Sequence, residues 1–126
     1  MEPVFIKKED QVLFLVSGNK DMLDKYIEEG YVIMDSIMTE GAREKHLPVV
    51  EKIGKKITVN VGSMPHPMTE EHGIDWIFLE TKQGGQFRQF KADEKPKGEF
   101  ILADGDEAVA AYAYCNLHGF WKTEII

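Results

Sequence analysis

A chain of 126 residues is long enough to bury one good core, because folded chains of this size remove well over half of their surface from water. With 43% hydrophobic and 29% charged residues it has the composition of a globular domain, which excludes an extended disordered segment. A net charge of −7, from 22 acidic against 15 basic residues, leaves no surplus of Lys and Arg to neutralise phosphates and argues against nucleic acid as a partner.

The N-terminal stretch "MEPVFIKKEDQ" has neither a basic start followed by an apolar run nor a small-residue cleavage site, so no signal peptide is expected. "VLFLVSG" is an apolar run stopped by Ser-Gly and suits a buried strand. "NKDMLDKYIEEG" then places Met22, Leu23, Tyr26 and Ile27 on one side of two to three helical turns, with Asn19 or Asp21 as the cap and Gly30 beyond the end. "YVIMDSIM" reads as another strand, and "TEGAREKHLP", with Gly41 and Pro48, as the link into the main body. The expected division is therefore a short segment over 1–40, with one helix and no cysteine, followed by the main domain over 41–126.

From Leu47 onward the pattern changes to short strands at close spacing. "LPVVEKI" and "KKITVNVG" form a pair around Gly54, with Ile57, Val59 and Val61 alternating with polar neighbours. "GIDWIFLET" is apolar on both faces, which predicts a central strand. "GGQFRQFKA", "GEFILAD" and "EAVAAYAYC" follow, separated by "QGG", "EKPKG" and "DGDE". Six or so strands punctuated by Gly, Pro and Asp predict an all-β fold, an antiparallel β-sandwich. No stretch approaches the roughly 18 apolar residues of a membrane span, so no membrane partner is expected.

The four histidines, His46, His66, His72 and His118, and the single cysteine, Cys115, all fall in this second region, each at or near a strand end. One cysteine cannot form an intramolecular disulfide, which fits a reducing, cytoplasmic location. Cys-x-x-His alone is a weak signal, since a lone histidine is usually solvated and a lone cysteine usually a small core residue. Taken together, donors in loops that a sandwich can bring to one end point to a metal site. In "SMPHPMTEEHG", Pro65 and Pro67 flank His66 and bias its backbone toward an extended conformation. Imidazole suits zinc, copper, iron and nickel. Five donors are one too many for structural zinc, and no methionine follows His118 closely as it would in a blue-copper site, although Met64 and Met68 keep copper open. Around iron, five donors would leave a sixth position for a small molecule.

The segments "EKHLPVVE", "VGSMPHPMTEEHGIDWIFLE" and "YCNLHGFWK" resemble the signature segments of superoxide reductases, the group that includes desulfoferrodoxin and neelaredoxin, over roughly residues 42 to 123. That resemblance implies an immunoglobulin-like β-sandwich holding one iron, with His46, His66, His72 and His118 in a plane and Cys115 as axial thiolate. It implies one-electron reduction of superoxide to hydrogen peroxide. Glu44 and Lys45 fall on the family's Glu-Lys pair, in which the lysine attracts the anion and the glutamate closes over the sixth position. A rubredoxin-type electron donor and a homo-oligomer, dimer or tetramer, are implied as well. Two departures stand out. Gly73 follows the third histidine where a tyrosine is frequent, and residues 1–40 lack the four cysteines that bind a second iron in desulfoferrodoxins. These departures leave open an alternative of a different class, an iron-binding electron-transfer module on the same scaffold without superoxide chemistry.

Overall fold

The computed structural model describes residues 3–16, 19–37, 46–62, 68–69, 72–116 and 119–125. The chain forms two compact units, Met1–Asp35 and Ser36–Ile126.

In the first unit, β1 (Val4–Lys8) and β2 (Gln11–Leu15) form a hairpin, and β3 (Val32–Ile33) pairs with the other edge of β1 to give an antiparallel sheet in the order β2-β1-β3. β1 lies in a segment in which the sequence reading placed no element. Its Phe5 and Ile6 are the buried residues of the central strand, and a five-residue run flanked by charge gives little periodic signal. The helix α1 (Lys20–Glu28) forms where predicted: the Asn19 side chain accepts from the Met22 N–H at 3.0 Å, and Gly30 takes a φ of +104° beyond its end. It has no fully buried residue, contrary to the apolar face that the spacing predicted: Met22 and Ile27 are exposed, and Leu23 and Tyr26 are only half-buried. "YVIMDSIM" contributes two strand residues and one isolated bridge at Ile37 rather than a full strand.

The second unit is an immunoglobulin-like antiparallel sandwich. One sheet runs β10-β9-β6-β7 and the other β4-β5-β8, with β4 Pro48–Ile53, β5 Lys56–Val61, β6 Ile74–Thr81, β7 Gly84–Gln89, β8 Lys97–Ile101, β9 Ala108–Cys115 and β10 Gly119–Glu124. The strand pair around Gly54 is present, with that glycine at φ +59° in the turn. Inward alternation from β5 (Ile57, Val59, Val61) meets Ile74, Ile77 and Leu79 of β6 and Ala111, Ala113 and Cys115 of β9 in one core. The three small positions of β9 let the opposite sheet approach closely. On the other face of the same sheet, Trp76, Phe78, Phe87, Tyr112, Tyr114 and Phe120 form a linked set of rings 4.5 to 5.9 Å apart, which explains why β6 is apolar on both sides. β10 completes the sheet edge beyond the last strand that alternation predicted.

The turn joining β8 to β9 is organised by Asp106. A hydrogen bond from the Thr81 hydroxyl, joined by the backbone N–H groups of Gln83 and Glu107, holds its carboxyl below the usual aspartate value of 3.8. A depressed folded-state pKa gives stability that is complete above the unfolded value and lost as pH falls through the folded one. Asp106→Asn is expected to lower the urea midpoint at pH 7, and the difference from the parent should shrink as the pH is taken below 3.8. Urea titrations at pH 7 and pH 3 check this, and an equal deficit at both would show that the charge is not the stabilising feature.

Candidate metal centre

Antiparallel pairing brings the end of β9 beside the start of β6, with Cys115 opposite Ile74. Between Ile74 and Trp76 the register shifts, so that Asp75 is an extra residue bulged toward solvent. Without that bulge the period of two would turn Ile74 away from the core; with it, Ile74 and Cys115 both face inward. Cys115 is fully buried at the strand end.

His72 sits two residues before β6, in a loop tied to itself. The Thr69 N–H donates to the His72 carbonyl at 2.9 Å, and the His72 N–H donates to Thr69 Oγ1 at 3.0 Å. The same hydroxyl donates back to the His72 carbonyl at 3.2 Å. His46 arrives from the other sheet, just ahead of β4. There the Leu47 carbonyl accepts from the Gly62 N–H at 2.8 Å, and the Pro48 carbonyl from the Thr123 hydroxyl at 2.7 Å. The His46 ring lies on the buried indole of Trp121, with centroids 4.6 Å apart and planes 12° from parallel. Trp121 is in turn flanked on its own strand by backbone bonds between β10 and Ile37.

Three of the five predicted donors are thereby assembled: the ligand atoms of His46, His72 and Cys115 all lie within 4.8 Å of one another. Ligands on opposite sides of an ion, with bonds of about 2.1 and 2.3 Å, are roughly 4.4 Å apart, so donors within 4.8 Å need only a small adjustment to share one ion. The donor set of two imidazoles and a thiol suits iron, zinc or copper. His66, His118, Glu44 and Lys45 lie outside the described residues. Sequence reasoning did not single out Trp121, Thr69 or Asn116. An asparagine directly after the cysteine at a strand end, and a threonine three residues before a histidine, are the local signals that such side chains bond to backbone.

This geometry defines a β-sandwich that gathers imidazole and thiol side chains at one end, a donor set that could hold a metal ion. The profile of the family described as Desulfoferrodoxin matches residues 38–124. The desulfoferrodoxin homolog of Archaeoglobus fulgidus is 41% identical over 91 residues, 72% of this chain and 71% of that protein. The superoxide reductase of Pyrococcus horikoshii is 36% identical over 65% of this chain and 86% of its own length. Among solved structures, the superoxide reductase from Treponema pallidum superposes with a TM-score of 0.78 at 31% identity, covering 98% of each chain. The chain belongs to the superoxide reductase family, the group of desulfoferrodoxin and neelaredoxin, and is an enzyme of that class.

The stacking of His46 on Trp121 gives a direct test in solution. Trp121→Leu keeps apolar bulk but removes the ring current over the imidazole. The His46 ring protons should appear upfield-shifted in the NMR spectrum of the metal-free parent and move back toward ordinary positions in the metal-free variant. Unchanged shifts would show that the two rings are not stacked.

Proposed function

We propose that the chain is a one-iron superoxide reductase, with His46, His66, His72, His118 and Cys115 holding the metal and Glu44 and Lys45 acting at its open position. The observation that supports this most directly is the convergence of His46, His72 and Cys115, from three separate strand ends, within 4.8 Å. When bound, ferrous iron supplies one electron, which with two protons converts superoxide to hydrogen peroxide without release of dioxygen.

The protein's own residues then have distinct tasks. Cys115, buried where β9 meets the core, provides the thiolate, the form in which cysteine donates to a metal, and its burial keeps the sulfur from solvent oxidants. His46 and His72 are held on opposite sheets, so the donor spacing is set by the sandwich and little entropy is lost on binding. Lys45 supplies the positive charge that an anionic substrate needs against a net charge of −7. Lys55 and Lys122 already have carboxylate partners: Lys55 pairs with Asp104, and Lys122 lies 3.9 Å from Glu124. Glu44 competes with added anions for the open position. The reading extends to a rubredoxin-type donor, a homo-oligomeric assembly, dimer or tetramer, and a cytoplasmic location. No helix among the described residues is long and apolar enough to cross a membrane.

The purified protein should contain one iron per chain, show a thiolate-to-iron charge-transfer band when ferric, and lose that band in Cys115→Ser. Pulse-radiolysis mixing of the ferrous protein with superoxide should yield peroxide stoichiometrically. Iron binding without peroxide formation would leave only an electron-transfer module on this scaffold. Lys45→Ala should slow the bimolecular step and flatten its dependence on ionic strength. An unchanged rate would remove Lys45 from the steering role.

A further inference from the structure

Gly73 and Asn116 join the two segments that carry His72 and Cys115. The Gly73 N–H donates to Asn116 Oδ1 at 3.0 Å, and the Asn116 N–H donates to the Gly73 carbonyl at 3.1 Å. The first of these bonds runs through a side chain and the second through backbone, so together they extend the β6–β9 pairing beyond Ile74 and Cys115, where the ladder would otherwise end. Each residue of the pair directly adjoins a metal donor in the sequence. A shift of one therefore moves His72 or Cys115.

The identity of residue 73 is part of the same arrangement. A Cβ built on Gly73 would lie 2.9 Å from the Thr69 carbonyl oxygen and 3.5 Å from the Met68 Cα. Real Cβ atoms essentially never come that close, and the obstruction is backbone rather than the yielding end of a side chain. The Thr69–His72 closure has that tightness only because position 73 has no side chain. Met68 is also held from below, since the Ile74 N–H donates to its sulfur at 3.2 Å. A larger residue at 73 must open either the Thr69–His72 loop or the Asn116 bonds.

We infer that Gly73 and Asn116 act as one positioning device, a two-hydrogen-bond clamp that sets the distance between His72 and Cys115 and that depends on glycine at 73. The inference rests on the metal reading above. Neither residue is itself a metal donor; both act through the donor beside them. Groups that orient metal ligands in this way typically contribute tenfold to a hundredfold in metal affinity.

The test is a double-mutant cycle on the full chain, with iron(II) affinity read by chelator competition and the ferric charge-transfer band read by absorption. Asn116→Ala and Gly73→Ala should each weaken iron(II) binding about tenfold or more and shift or broaden the band. The double variant should be little worse than either single one, because both substitutions break the same clamp. Asn116→Asp, which keeps an oxygen in place to accept from Gly73, should restore affinity to within about threefold of the parent. Thermal unfolding of the metal-free variants separates lost positioning from lost folding, and the aspartate rescue is not expected of a general packing defect. Parent-like affinity and an unmoved band in Asn116→Ala would overturn the clamp alone, as would strictly additive losses or failure of the aspartate rescue. A parent protein that takes up no iron would overturn the metal reading and the clamp together.

Discussion

The antiparallel pairing of β6 with β9, interrupted by the bulge at Asp75, is the constraint from which the site follows. In a regular ladder the side-chain period of two would leave Ile74 on the outer face while Cys115 stayed in the core. One extra residue restores both to the inside and ends the ladder with Cys115 beside the loop that carries His72. The cost is local: one extra residue, Asp75, which stands outside the β6–β9 register, is exposed, and has its carbonyl accepting from the Phe90 N–H at 2.9 Å. The gain is that a buried sulfur and an imidazole from a different loop share one small volume.

The second sheet contributes the other described donor by a different route. His46 precedes β4 and so lies outside the strand pairing; a backbone bond at Leu47, a hydroxyl bond at Pro48 and the aromatic face of Trp121 help to place it. The Thr123 bond to Pro48 and the Trp121 stack both come from β10, which belongs to the sheet that also holds Cys115. β10 therefore ties the two sheets together at the end where the donors meet. A site spread over two sheets needs such a tie, because sheets packed through apolar side chains can slide, and a shift of 1 Å is large on the scale of a metal–ligand bond.

The leading unit has a different character. Its sheet buries Phe5 and Ile6, Tyr31 is buried with its hydroxyl donating to Gln11 at 2.5 Å, and its helix is secured by the Asn19 cap rather than by a broad apolar face. With no cysteine before position 115, it offers no thiolate for a second metal of the rubredoxin type. Its order comes from a small core and local capping.

Much of this was legible in the sequence because the signals are local. Alternation in "KKITVNVG", glycines at turns, the Asn19 cap and the Gly30 stop each act within a few residues, and they marked β4 to β9 and α1 correctly. β1 and β10 were missed because a short strand is defined by what it pairs with, and neither "VFIKK" nor "GFWKTE" has a distinctive period of its own. The donor types were legible too, since His and Cys are rare here and clustered near strand ends, and their order resembled a known family. What the sequence by itself determined was which residues have metal-binding chemistry and which kind of scaffold bears them. Only the tertiary structure decided that His46, His72 and Cys115 meet, that a bulge at Asp75 sets the register, and that Gly73 closes against the Thr69 carbonyl while bonding to Asn116. The physical reason is that distances between strand ends depend on register, twist and packing summed over two sheets, quantities to which every residue contributes a little and no motif contributes enough.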